Sequence, residues 1–141
     1  MLITKPQKLK TTHSNPIPFF SCTVQAGFPS PAEDIIENKL DLNQLLIKHP
    51  SAAFFVKAQG DSMQNSGIFQ DDILIVDKSI DPKEGMIAIA SVAGDFTVKK
   101  IGKIAGRFYL LPSNPNYKPI LVDACDNVEI WGIVTYVIHK P

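Results

Sequence analysis

Ala53-Phe54-Phe55-Val56-Lys57-Ala58-Gln59-Gly60-Asp61-Ser62-Met63 decides the fold. Its first half is rich in apolar, aromatic and β-branched residues over a strand's length, and Gly60-Asp61-Ser62 is turn chemistry. The same alternation of apolar run and turn recurs downstream. Ile73-Leu74-Ile75-Val76 follows Asp71-Asp72, and Met86 to Val92 follows Asp81-Pro82-Lys83-Glu84-Gly85. Ala93-Gly94-Asp95 reads as a hairpin connection into Phe96 to Ile101. Arg107–Leu111, Ile120–Val122 and Val128–Ile138 complete the set. Short strands at this spacing, divided by Gly, Pro, Asn and Asp, predict a mainly β, antiparallel barrel or sandwich. Val128 to Val134 is apolar enough for either a core strand or a dimer contact.

Upstream the composition changes. Residues 1–31 hold five of the eleven prolines (Pro6, Pro16, Pro18, Pro29 and Pro31), which oppose continuous helix and central strand. This part is expected to be an extended, flexible arm, and residues 32–141 the folded domain. Pro31 to Lys39 suggests a helical turn or two. Asp41-Leu42-Asn43-Gln44-Leu45-Leu46 predicts a short amphipathic helix, with Asp41 as N-cap, Gln44 in capping-box position and Pro50 as a stop.

The bulk properties exclude several functions. A chain of 141 residues buries a core without staples, and its formal net charge of zero gives no basic footprint for a duplex-DNA reader. The arm is too short and proline-broken for a helix-turn-helix. Apolar runs such as Ile87-Ala88-Ile89-Ala90 are far shorter than the roughly 18 residues of a membrane span. Lys5, Lys8 and Lys10 are not followed by an apolar segment, so no secretory signal is expected and the cytoplasm is the expected location. Cys22 and Cys125 are then expected as reduced thiols, and no His/Cys spacing suggests zinc. His13, His49 and His139 are scattered and read as surface or capping residues. No cofactor is expected.

The chemistry suggested is nucleophilic. A serine needs a base to take its proton, and a lysine amine in partly apolar surroundings can serve. Ser62 in its turn and Lys99 in Phe96-Thr97-Val98-Lys99-Lys100 are candidates. Alternation sends Lys99 and Lys100 to opposite faces without saying which faces inward. Ser66, Ser79 and Ser91 are comparable serines.

Five ordered blocks carry a resemblance. They are Val24-Gln25-Ala26-Gly27-Phe28-Pro29-Ser30-Pro31, Asp41-Leu42-Asn43-Gln44-Leu45-Leu46, Val56-Lys57-Ala58-Gln59-Gly60-Asp61-Ser62-Met63, Asp72-Ile73-Leu74-Ile75-Val76-Asp77 and Phe96-Thr97-Val98-Lys99-Lys100. Almost end to end, the chain resembles the LexA/UmuD-type self-cleaving serine peptidases. The resemblance implies Ser62 as nucleophile, Lys99 as general base and a cut between Ala26 and Gly27. It implies the backbone amides of Asp61 and Ser62 as oxyanion donors. As partners it implies a second copy in a homodimer, a RecA filament on single-stranded DNA that promotes cleavage, and a UmuC-type polymerase subunit. With so short an arm, the shortened product is expected to be the accessory subunit of an error-prone translesion polymerase in the SOS response. A LexA-like repressor fragment and a catalytically inactive polymerase-binding module are the alternatives. A signal-peptidase-like enzyme would share the Ser/Lys chemistry but need a membrane anchor.

Overall fold

The computed structural model describes residues 2–8, 17–20, 36–113, 115–123 and 127–141. The chain divides into two compact units, Met1–Leu9 with His49–Pro141, and Lys10–Lys48.

In the larger unit the strands are β1 (Leu2–Ile3), β2 (Gln7–Lys8), β5 (Ala53–Gln59), β6 (Ile73–Asp77), β7 (Ile87–Val92), β8 (Asp95–Ile104), β9 (Arg107–Leu111), β10 (Ile120–Leu121) and β11 (Val128–Ile138). The smaller unit holds β3 (Ile17–Phe20), β4 (Ile36–Leu40) and the helix α1 (Leu42–Leu46). The fold is mainly β, as expected, and every described ladder is antiparallel.

One sheet of nine strands runs β1-β5-β6-β11-β7-β8-β9-β10, with β2 also on β5 and β1 also on β8. That last pairing closes β1-β5-β6-β11-β7-β8 into a barrel-like ring, with β9 and β10 continuing from β8 outside it. Local turn chemistry fixes the register of the central hairpin. Ala93 and Gly94 both have positive φ, 50° and 88°, the left-handed pair of a two-residue hairpin turn. Val92 accordingly faces Asp95, and Ala88 faces Lys99.

β11 runs through the middle. Val128 to Ile133 pair with β7, and Ile133 to Ile138 pair with β6. A register shift lies between Ile130 and Gly132, and another between Val134 and Tyr136. Such bulges bend a long strand so that it can serve two neighbours. Val128 and Ile133 are buried, so this apolar stretch belongs to the core. The main core comprises Val56, Ala58, Met63, Ile68, Leu74, Val76, Ile89 and Val98, with Ile3 and Trp131 packed against it. Leu74, Ile75 and Val76 are buried in succession because β6 lies between β5 and β11.

Two local expectations change. The helical turns expected over Pro31–Lys39 do not form at residues 36–39, which belong to β4 and pair with β3. A partner strand overrides so weak a helical signal. Pro18 is tolerated in β3 because a two-stranded sheet has only edge strands. The residues at the N-terminus, expected as arm, also contribute β1 and β2 to the large sheet. The helix forms with Asp41 as its N-cap, the side chain accepting from the Asn43 N–H at 2.9 Å. None of its residues is buried, however, and Leu42 and Leu45 of the expected apolar face are exposed. The helix ends at Leu46, ahead of Pro50.

Candidate active site

The serine turn grows directly out of β5. Gly60, at φ 96°, takes the chain around a corner that favours glycine, and its N–H donates to the Gln70 side-chain carbonyl. The next turn is held by its own backbone, with the Gln64 N–H on the Asp61 carbonyl at 3.2 Å. The Ser66 and Ile68 N–H groups both donate to the Met63 carbonyl, at 3.0 and 3.2 Å. Met63 and Ile68 are buried in the main core, whereas Ser62 is exposed. A buried thioether immediately after the serine therefore anchors the turn and leaves the hydroxyl facing outward.

The far end of this loop is tied as firmly. Asp71 N–H donates to the Ala58 carbonyl at 2.9 Å, and Ala58 N–H to the Asp72 carbonyl at 2.8 Å. Asp72 is almost wholly buried, and its carboxylate accepts the Phe69 N–H at 2.8 Å and meets His139 Nδ1 at 2.6 Å. Both polar demands of a buried carboxylate are thereby met.

Lys99 comes from a different part of the sheet. In β8, Val98 and Ile101 are fully buried, Lys99 is half-buried, and Lys100 is exposed. The methyl of Ala88 on β7 is all that faces Lys99 across the ladder. The cavity into which Ser62 and Lys99 both open measures about 530 Å³ and is lined otherwise by Leu110, Pro112, Ser113, Tyr117, Lys118 and Ile120. The lysine whose orientation alternation left open thus resolves in favour of Lys99. A hydroxyl and an amine at one largely apolar cleft are the parts required for base-assisted attack on a carbonyl.

Leu110 belongs to β9 and Ile120 to β10; the wall between them comes from the connection that follows β9. Sequence reasoning passed over this segment, since Pro112-Ser113 and Tyr117-Lys118 look like ordinary turn composition. Ser113 also reaches back to the serine turn, its hydroxyl 3.6 Å from the Met63 sulfur.

The other candidates sort themselves. Ser66 lies in the short 3-10 turn after Met63, and Ser79 donates by both N–H and hydroxyl to Asp77, at 2.7 and 2.5 Å. Ser91 is in β7, paired opposite Phe96. His49 and His139 are partners of buried carboxylates, Asp77 and Asp72, each at 2.6 Å. Ala26, Gly27, His13, Cys22 and Cys125 lie outside the described residues.

The Peptidase S24-like family matches residues 18–135. The chain belongs to that family. Its S24-like relatives include Protein SamA of Salmonella typhimurium, 45% identical over 87% of this chain and 85% of the relative. Protein ImpA of Escherichia coli is 42% identical over 87% of this chain and 83% of its own. The LexA repressor of Shewanella denitrificans is 37% identical over 83% of this chain but only 57% of the repressor. This S24-like chain is thus UmuD-like, and its family is that of serine peptidases of the LexA/UmuD type. Among the described residues, no helix is long and apolar enough to cross a membrane.

Proposed function

We propose that this chain cuts itself once, between Ala26 and Gly27, with Ser62 as nucleophile and Lys99 as general base. The observation that carries the reading is the convergence of Ser62 and Lys99 on one cleft from separate strands. Residues 1–31 carry the cut site, and residues 32–141 the peptidase and dimerisation part, whose sheet residues 2–8 also join.

The unprotonated Lys99 amine takes the Ser62 proton as Oγ attacks the Ala26 carbonyl carbon. The backbone N–H groups of Asp61 and Ser62 hold the resulting oxyanion, a contribution of roughly 3–4 kcal/mol in acyl transfer. Collapse breaks the Ala26–Gly27 bond, and the lysine returns the proton to the Gly27 amine. Water then hydrolyses the ester, freeing Ser62 and leaving the Ala26 carboxylate. Because the substrate is tethered, effective concentration replaces a deep specificity pocket, and control can rest on whether the cut site docks.

The biological reading follows the same family. Cleavage is stimulated by a RecA filament on single-stranded DNA, and the shortened homodimer joins a UmuC-type subunit as an error-prone translesion polymerase in the SOS response. The chain works in the cytoplasm and does not itself read a DNA sequence, which fits its formal neutrality.

Incubation of purified protein at mildly alkaline pH, read by intact mass, tests the chemistry, with Ser62→Ala and Lys99→Ala beside it. One cut after Ala26, absent from both variants, is expected; RecA filaments at neutral pH then test the damage link. A wild-type chain left whole under both conditions overturns the peptidase reading and leaves a polymerase-binding module.

A further inference from the structure

The strands that flank the cleft are bridged by the first residues of the chain. Leu2 is paired with Gln59 at the end of β5, just ahead of the serine turn, and with Thr97 of β8, two residues from Lys99. Ile3 pairs with Ala58 and packs against the main core. Thr4 is held twice by Lys57: its N–H donates to the Lys57 carbonyl at 3.0 Å, and its Oγ1 accepts the Lys57 N–H at 3.0 Å. Gln7 and Lys8 continue along β5 opposite Phe55 and Phe54. The Lys8 ammonium donates to the Ser51 carbonyl and sits 4.9 Å from the centre of the Phe54 ring.

These contacts are those of a strand-addition ligand: main-chain pairing supplies affinity, and alternate side chains supply specificity. Among the described residues, β1 and β2 are the strands on the edge of β5 that faces away from β6, and that edge is bare without them. Unpaired edges of that kind favour retention of whatever strand already fills them. A cut after Ala26 severs only the covalent connection, and it touches none of these bonds.

We propose that residues 2–8 are a β-strand ligand of the peptidase domain, so that the N-terminal fragment stays docked in the β5/β8 seam after the chain is cut. The product of cleavage is then a non-covalent complex, and release of the fragment is a separate step. The origin of the cut rests on the self-cleavage reading; the docking does not.

The test uses the full chain carrying Ser62→Ala, with residues 10–16 replaced by the recognition sequence of a site-specific protease. After complete cutting at micromolar concentration, native mass spectrometry and size exclusion follow the fragment. The expected species has the mass of the uncut chain plus one water. Thr4→Pro removes both the donor and the acceptor facing Lys57, and retention is expected to fall roughly tenfold or more. Ile3→Asp should act in the same direction, whereas Lys5→Ala should not. A fragment that elutes freely overturns the proposal, whether or not the remainder keeps its β-sheet circular dichroism. Retention unchanged by both Thr4→Pro and Ile3→Asp overturns it too. Should the wild-type chain fail to cut itself, only the self-cleavage reading falls, because the engineered cut still reports docking.

Discussion

Ser62 and Lys99 reach one cleft from strands that are not bonded to each other. Ser62 follows β5 and Lys99 lies in β8, and the two are separated in one direction by β6, β11 and β7 and in the other by β1 alone. Closure of the ring is what brings them to the same place. Site geometry therefore depends on long-range pairing across the whole sheet, and the local sequence at either residue is insufficient to create it.

The lysine requirement can be separated from the charge requirement. Lys99→Arg keeps a cation at the cleft but cannot act as a base, since a guanidinium stays protonated at any workable pH. Self-cleavage should fall by ~10²–10⁴-fold, the range of a lost general base. Lys100→Ala, on the exposed face of the same strand, should leave the rate within about twofold. Single-turnover rates from intact mass check both; an active Lys99→Arg protein removes Lys99 from the role of base.

Met63 links stability to presentation of the Ser62 hydroxyl. Its side chain is buried among Ile68, Leu74 and Val76, while Ser62 beside it is exposed. Met63→Ala should cost about 2–5 kcal/mol, as buried Met truncations do, and Met63→Leu under about 1.5 kcal/mol. Urea unfolding measures both. At a urea-free temperature where each variant is folded, cleavage should remain slower in Met63→Ala, because the turn has lost its anchor.

Much of this was legible. From Ala53 on, alternating apolar runs and turn residues mark strands that form within a residue of their expected ends, except β8, which runs three residues past Ile101 to Ile104. The hairpin expected at Ala93-Gly94-Asp95 was readable from its turn residues, and the structure narrows the turn to Ala93-Gly94, with Asp95 already in β8. β1 and β2 were not readable, since two-residue strands have no period and Leu2 and Ile3 gain their place only from Gln59, Ala58 and Thr97. β4 was misread because its partner, β3, lies some twenty residues away and decides its conformation. At the site, Ser62 and the Lys99/Lys100 pair could be picked out by residue type. The wall formed by Pro112, Tyr117 and Lys118 could not, because nothing local says which loop will fold over which strand.

Asp77 predicts an acid limb of stability. Burial alone would raise its pKa, but hydrogen bonds from the Ser79 hydroxyl and His49, then the Ser79 N–H and the attraction of His49, outweigh that and hold the carboxyl below its ordinary value. The folded state thus favours the carboxylate. Its contribution is complete above the unfolded value of about 3.9 and is lost as pH falls through the lower folded value. Asp77→Asn should cost about 1–3 kcal/mol at neutral pH, with the gap to wild type closing below roughly pH 4. Urea midpoints from pH 3 to 7 for the two proteins check it; a gap independent of pH removes the carboxylate charge as the cause.

Gly132 gives a packing prediction that does not involve the cleft. It follows the register shift in β11, and a Cβ there would stand 2.6 Å from Val76 Cγ1. Val76 is fully buried and its backbone is paired on both sides, to Phe54 and to Val134, so it has little room to yield. Gly132→Ala should therefore destabilise by about 1–3 kcal/mol through overpacking. The cause is identified by Val76→Ala, which creates a small cavity by itself but vacates the clashing methyl. In the double variant the two costs should fall short of their sum by about 1 kcal/mol or more. Additive costs in denaturant unfolding would place the strain elsewhere in the bulge.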